Sequence, residues 1–136
     1  MDRQTLVNTA CEAMMKAYAP YSGFFVGAAL ECENGRIYTG CNIENSTFTP
    51  TNCAERTAFF KAISEGDRKF TRIAIVGGMK GVIDGVAAPC GVCRQVMKEF
   101  CDPETFEIIL FDGKDIKSYL LRELLPESFG PENLGK

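Results

Sequence analysis

Residues Val26 to Asn42 read VGAALECENGRIYTGCN, in which two largely apolar runs flank the tripeptide Glu33-Asn34-Gly35. Asn-Gly between apolar runs is a strong signal for a β-hairpin, because both residues accept the positive φ angles that a tight turn requires. The stretch therefore predicts two strands, over Val26–Cys32 and Arg36–Asn42. The hairpin predicts that the chain forms a β-sheet, and the neighbouring elements indicate whether that sheet is antiparallel, parallel or mixed.

Helical and strand patterns alternate on both sides of this hairpin. Before it, apolar residues recur at spacings of three and four from Leu6, which predicts a helix that ends before Pro20. After it, the patterns predict a helix from Cys53 to Ile63, a strand Phe70–Val76, a helix Cys90–Cys101, strands Glu107–Phe111 and Ile116–Tyr119, and a short helix Arg122–Leu125. The glycines from Gly77 to Gly85 predict a flexible connection, and the tail Ser128–Lys136 is expected to be irregular.

This order of elements predicts a single α/β domain over residues 1–136. The hairpin is antiparallel, whereas helical crossovers allow the later strands to run parallel, so the sheet should be mixed. With helices on both faces, the expected architecture is a three-layer α/β/α domain with a five-stranded mixed sheet. A chain of 136 residues is long enough to bury about two-thirds of its unfolded surface without cross-links.

The charge balance and the lack of histidine exclude several classes of function. The chain carries 15 Lys and Arg against 18 Asp and Glu, whereas a protein that holds nucleic acid through its phosphates needs a basic face. We therefore expect a small-molecule ligand and no stable nucleic-acid binding. Without histidine, Ser-His-Asp and Cys-His catalysis are excluded, and acid–base chemistry must use a carboxylate, Lys, Tyr or Cys.

The N-terminal residues and the hydropathy indicate a compartment. Met1 to Cys11 are mixed and polar, without the apolar segment of a signal peptide. The longest apolar stretches fall far short of the ~20 residues that a membrane span needs. We therefore expect a cytoplasmic protein without membrane contact, in which the cysteines stay reduced.

Two cysteine groups carry the strongest chemical signal: Cys53-Ala54-Glu55 and Pro89-Cys90-Gly91-Val92-Cys93. Each group opens a predicted helix, where the helix dipole and the free N–H groups stabilise negative sulfurs. Three thiolates can hold Zn²⁺ and leave its fourth tetrahedral position open, as in a catalytic zinc site. The spacing therefore predicts that Cys53, Cys90 and Cys93 bind one zinc ion per chain.

This pattern is the three-cysteine variant of the zinc deaminase signature. In that chemistry the zinc activates a water that attacks C4 of cytosine, and a glutamate that is not a ligand moves the protons. Glu55 is the only carboxylate so placed. We expect it to accept a proton from the water, pass it to N3 of the base and later protonate the departing amino group.

Over nearly its whole length, the sequence resembles the family of cytidine deaminases that act on free nucleosides. Beyond the zinc residues, the resemblance rests on six motifs: Tyr18-Ala-Pro-Tyr-Ser, Val26-Gly-Ala-Ala-Leu, Gly40-Cys-Asn-Ile-Glu-Asn, Cys53-Ala-Glu-Arg-Thr-Ala, Pro89-Cys-Gly-Val-Cys-Arg-Gln-Val and Glu123-Leu-Leu-Pro-Glu-Ser-Phe-Gly-Pro. It implies a small homotetrameric enzyme of pyrimidine salvage, with sites completed across subunits. The implied reaction is the hydrolytic deamination of cytidine and deoxycytidine to uridine and deoxyuridine.

The resemblance also implies which residues bind the nucleoside. Asn42 and Glu44 match the positions that hydrogen-bond the sugar, and a carboxylate and an amide two residues apart on an extended segment point to one side. Phe24 matches an aromatic residue beside the nucleoside, and Ala54 lies between the matched Cys53 and Glu55. Phe129 matches a C-terminal aromatic residue that reaches a neighbour's base in similar tetrameric enzymes.

Arg56 follows Glu55 in the first turn of its predicted helix. Three thiolates reduce the Lewis acidity of zinc, and a cation hydrogen-bonded to a sulfur can partly restore it. We therefore expect Arg56 to tune the metal from beside a ligand, with a surface salt bridge as the alternative.

Other interpretations of the cysteines remain open at this point. Cys90 and Cys93 could form a redox dithiol, or Cys101 could complete a closed structural zinc site. Within the deaminase fold, the substrate could be another aminopyrimidine, a nucleoside antibiotic or RNA. Phe48 stands where similar enzymes often carry Tyr, so a hydroxyl contact is not available there. Gly23 and Phe25 are unusual neighbours of Phe24, so the sequence does not predict the conformation of that loop.

Overall fold

The computed structural model describes all residues from Met1 to Lys136. Its helices are α1 (Arg3–Met14), α2 (Ala54–Ser64), α3 (Gly91–Phe100) and α4 (Leu121–Leu124), and residues Pro131–Leu134 form a 3₁₀ turn. Its strands are β1 (Phe24–Cys32), β2 (Ile37–Cys41), β3 (Phe70–Met79), β4 (Val82–Ile83), β5 (Glu107–Phe111) and β6 (Ile116–Leu120). The order of the predicted elements is confirmed.

The strands form one mixed sheet in the order β2-β1-β3-β5-β6, with β4 paired to β3. Only β3 and β5 are parallel, and they are the strands that α3 connects. The β1–β2 hairpin turns at the predicted Asn-Gly pair, where Gly35 has φ 90° and Cys32 N–H donates to the Arg36 carbonyl at 2.9 Å. Short-range turn chemistry therefore fixes the register of the first two strands.

The helices cover both faces of the sheet. On one face α1 packs Leu6, Val7 and Met14 against alternate strand residues that include Ala74 and Val76. On the opposite face Phe59 of α2 and Met97 of α3 pack against the intervening strand residues, among them Ile73 and Ile75. Because successive side chains of β3 point to opposite faces of the sheet, this strand contributes to two separate cores. The three-layer α/β/α prediction is confirmed.

Two local expectations differ from the structure. Strand β3 continues to Met79, and Val82–Ile83 pairs back on it, so the glycine-rich connection is in part a hairpin. The tail is not wholly irregular, because a 3₁₀ turn forms at Pro131–Leu134.

None of the helices combines the length and the apolar character that a membrane-spanning helix needs.

Candidate metal and substrate site

The three predicted zinc-binding cysteines meet at the ends of two helices. Cys53 occupies the N-cap position of α2, Cys90 occupies that of α3, and Cys93 lies in the first turn of α3. The Sγ atoms of Cys53 and Cys90 are 3.9 Å apart, and those of Cys90 and Cys93 are 3.7 Å apart. The three sulfurs lie within 4.8 Å of one another.

This geometry fits zinc. Sulfurs about 2.3 Å from a tetrahedral zinc ion lie about 3.8 Å from each other, which matches the Cys53–Cys90 and Cys90–Cys93 separations. Cys93 is buried while Cys90 is exposed, so one side of the cluster faces outward. Cys101 is not part of the cluster, which disfavours the closed structural site. The cluster is therefore a three-sulfur zinc site with room for a fourth, exchangeable ligand.

The surroundings of the sulfurs favour a thiolate. The pKa of Cys53 lies well below its ordinary value because the Cys93 thiol donates a hydrogen bond to it, and the Arg56 guanidinium adds to this effect. Arg56 Nη2 donates to Cys53 Sγ at 3.2 Å, whereas Arg56 Nε is buried without a partner. The predicted tuner thus touches a ligand sulfur and forms no surface salt bridge.

Close packing of α2 on the sheet positions Cys53 and Glu55. Gly40 of β2 faces the first turn of α2, and a Cβ atom at Gly40 would lie 2.2 Å from the Ala54 carbonyl oxygen and 2.7 Å from the Ala58 nitrogen. Because both atoms belong to the backbone, only glycine allows the helix to approach so closely.

Glu55 is a buried carboxyl group, 4% exposed, in the first turn of α2. Burial raises its pKa to about 7, and the negative Cys53 sulfur also acts in that direction. A carboxyl group with a pKa near neutrality can both accept and donate a proton, as a general acid–base catalyst must.

A cavity of about 400 Å³ opens in front of the cysteines and Glu55. Its size is in the range of small-molecule sites. Its lining includes the predicted Phe24, Asn42 and Ala54. The remaining lining residues are Val26, Thr51, Asn52, Cys53, Glu55, Val86, Ala87, Ala88 and Cys90.

Asn42 is buried in this cavity, and its amide braces strand β1. Its Oδ1 accepts from the Val26 N–H at 2.9 Å, and its Nδ2 donates to the Phe24 carbonyl at 2.8 Å. One amide N–H and one lone pair remain for a ligand.

Glu44 lies in a second cavity of about 260 Å³, lined by Tyr21, Ser22, Glu44, Phe48 and Thr51. Thr51 lines both cavities, so they adjoin. The Glu44 carboxylate accepts from the N–H groups of Tyr21 and Ser22 and from the Ser22 hydroxyl. These bonds, led by the Ser22 hydroxyl, lower its pKa, so the second cavity carries a negative charge.

Phe129 is not in either cavity of its own chain. The residue is 60% exposed, and its carbonyl accepts a hydrogen bond from Gln95 Nε2 of α3 at 2.8 Å. The tail is therefore held on α3 with Phe129 exposed to solvent.

Sequence reasoning did not identify the cavity wall formed by Val86, Ala87 and Ala88, nor Thr51 and Asn52. Small apolar residues in a glycine-rich connection carry no chemical signal. Thr51 and Asn52 precede Cys53, and that adjacency to a ligand was the one available indication.

Comparison with known proteins places the chain among relatives of one kind. A family described as the cytidine and deoxycytidylate deaminase zinc-binding region matches residues 1–108. The cytidine deaminase of Sporosarcina psychrophila is 48% identical over 135 residues, which is 98% of this chain and 96% of the relative. The Mycobacterium tuberculosis cytidine deaminase is 37% identical over 98% of this chain and 94% of its own.

A crystal structure of cytidine deaminase from Burkholderia pseudomallei matches with a TM-score of 0.87 and 45% identity, over 95% of this chain and all of that chain. Zinc-site geometry, cavity, sequence and fold thus agree. The chain belongs to the cytidine deaminase family.

Proposed function

We propose that this protein is a zinc-dependent cytidine deaminase that hydrolyses cytidine and deoxycytidine to uridine and deoxyuridine with release of ammonia. The observation that carries this proposal is the buried Glu55 carboxyl beside a three-sulfur zinc site, at the wall of a nucleoside-sized cavity. The arrangement brings a metal-binding cluster, a proton carrier and a pocket together in one place.

Zinc held by Cys53, Cys90 and Cys93 supplies the Lewis acidity that makes water a nucleophile near neutral pH. Glu55 accepts the proton that the water loses and delivers it to N3 of the base. The water oxygen bonds to C4, and Glu55 then takes up the second proton from the resulting C4 hydroxyl and delivers it to the exocyclic nitrogen. The C4–N4 bond breaks, ammonia leaves, and a carbonyl forms at C4. The carboxyl group ends the cycle as it began it, and only water is consumed.

The remaining lining residues position the nucleoside in this proposal. Phe24 offers an aromatic face to the base, and Ala54 offers its backbone at the cavity wall. Asn42 and the ionised Glu44 hydrogen-bond the sugar hydroxyls. Since Glu44 is negative and neither cavity is lined by Lys or Arg, a 5′-phosphate is disfavoured.

Arg56 is proposed as the residue that tunes the metal. Its guanidinium donates to Cys53 Sγ and withdraws charge from a thiolate that would otherwise weaken the Lewis acidity of zinc.

The wider setting of the enzyme is also a proposal. Residues 1–136 act as one catalytic domain in a cytoplasmic homotetramer that serves pyrimidine salvage. Exposed Phe129 then contributes to a neighbouring subunit's site. The solution mass of the protein, measured by light scattering, tests the tetramer.

The deciding experiment measures the loss of ultraviolet absorbance with cytidine, deoxycytidine, cytosine and CMP, with and without a zinc chelator. We expect turnover of the two nucleosides, little with CMP, and loss of activity on chelation. Glu55→Gln should keep its zinc and lose roughly 10³-fold or more in kcat, because removing an acid–base group commonly costs about 10²–10⁴. No turnover of any nucleoside by a zinc-loaded protein would overturn the proposal.

A further inference from the structure

Gly77 lies beneath the substrate cavity without lining it. It is buried near the end of β3 and pairs with Val26, which does line the cavity. Its neighbours Ile73 and Ile75 at the same period pack against α2 and α3. The missing side chain of Gly77 therefore faces the side of the sheet on which the cavity lies.

The space at Gly77 is filled by two cavity residues from different parts of the chain. A Cβ atom there would lie 2.8 Å from Ala87 Cβ and 3.1 Å from Phe24 Cε2. Phe24 begins β1, and Ala87 belongs to the loop between β4 and α3. Both line the cavity, so the two parts of its wall come together over the bare backbone of Gly77.

The backbone at Gly77 does not itself require glycine. Gly77 is absent from the residues with positive φ, unlike Gly81 and Gly85 nearby. An alanine would therefore meet no conformational strain. The obstacle is steric: the Cβ would contact Ala87 and Phe24, and it would lie 3.2 Å from the backbone carbonyl oxygen of Phe25. Steric fit, and not turn geometry, accounts for a glycine at this position.

We infer that Gly77 is a positioning residue that sets how closely Phe24 and Ala87 approach each other, and thereby the fit of the pyrimidine base. This inference rests on the proposed function. A methyl group at Gly77 displaces both walls by several tenths of an ångström or more. Because these walls contact the base in the ground state and in the transition state alike, the loss should fall on KM and not on kcat.

The test compares Gly77→Ala with two double variants in a cytidine assay. We expect Gly77→Ala to raise KM by roughly tenfold or more, with kcat changed much less and one zinc still bound per chain. Removing the methyl group that it meets, in Gly77→Ala/Ala87→Gly, should restore most of the KM. Gly77→Ala/Ala88→Gly is the matched control, because Ala88 also lines the cavity but is not among the nearest neighbours of that Cβ position.

Three results would overturn the inference: an unchanged KM in Gly77→Ala, an equal loss of kcat and zinc, or equal rescue by both second substitutions. Equal rescue would mean that any loosening of the loop suffices. A wild-type protein that is zinc-loaded yet inactive on nucleosides would instead overturn the proposed function, and the inference with it. Thermal unfolding of each variant shows whether a loss of fold contributes.

Discussion

At the scale of a single residue, the guanidinium of Arg56 is proposed to reduce the negative charge of the zinc site. Three thiolates give a Zn²⁺ centre a net charge of −1, and Arg56 is the cation in contact with a ligand sulfur. Its Nε atom is buried without a partner, which costs free energy in a folded protein. We attribute this cost to the proposed role of the Arg56 charge at the zinc site.

Replacing Arg56 by Ala should lower kcat by about 10–100-fold, the usual cost of losing a partner of a metal ligand. KM for cytidine should change little, because Arg56 does not line the cavity. Arg56→Lys should retain part of kcat, whereas Arg56→Gln, which keeps an N–H donor without the charge, should not. Steady-state kinetics with zinc content measured in parallel test this, and full activity of Arg56→Ala would refute the role.

At the scale of elements, the site depends on how closely α2 lies on β2. Cys53, Glu55 and Arg56 lie within the first turn of this helix or at its N-cap. Any shift of the N-terminus therefore moves the metal ligand, the proposed proton carrier and the proposed tuning residue together. Gly40 is the point of contact, and the atoms opposite it belong to the helix backbone and cannot rotate away.

Gly40→Ala should therefore lower both zinc content and kcat, the latter by about 10²-fold, as expected for misplacement of catalytic groups by about 1 Å. Overpacking should also cost about 1–3 kcal/mol in the free energy of unfolding. Gly35→Ala is the matched control. Gly35 has positive φ but open space around it, so that variant should lose stability while keeping kcat. Urea unfolding and kinetics on both variants separate the effects; equal kcat in both would contradict the role of Gly40.

What the sequence could predict at this scale follows from the range of the interactions involved. The Asn34-Gly35 turn and the two helix starts at Cys53 and Cys90 are local patterns, and each was confirmed. The spacing of the three cysteines and their positions at predicted helix N-termini were enough to predict that they share one metal site. The extension of β3 through Gly77 and the strand β4 were not predicted. Glycines in a sequence usually indicate a loop, whereas the glycines here lie in a strand whose close packing leaves no space for a side chain. The cavity wall at Val86 to Ala88 depends on long-range packing that no local pattern encodes.

At the scale of the molecule, a network of ion pairs and hydrogen bonds connects α1 to four strands. Arg72 of β3 is paired in register with Glu31 of β1 and Glu107 of β5. Its guanidinium lies 2.7 Å from the Glu31 carboxylate and 3.9 Å from that of Glu107. Arg3 of α1 and the Ser118 hydroxyl also donate to Glu107. The network therefore holds the start of α1 against one end of the sheet.

This network predicts a pH dependence of stability. Burial raises the pKa of Glu107, but the hydrogen bonds from Ser118 and Arg3 and the nearby charges outweigh it, so the net pKa lies below the ordinary value of 4.5. A carboxyl group whose pKa is lowered by folding stabilises the protein above its unfolded pKa. That contribution is lost as the pH falls through the lower, folded value.

Glu107→Gln should therefore lower the free energy of unfolding at pH 7 by about 1 kcal/mol, a small value because the pairs are partly solvated. The difference from wild type should shrink as the pH is lowered below 4.5. Comparing the two proteins at each pH cancels any loss of zinc, which is common to both. Glu104→Gln serves as the control, because Glu104 pairs only with the exposed Arg122 and is itself 71% exposed; it should change stability by less than about 0.5 kcal/mol. A deficit in Glu107→Gln that is the same at pH 7 and at pH 3.5 would show that the carboxylate charge contributes nothing and that only packing was lost.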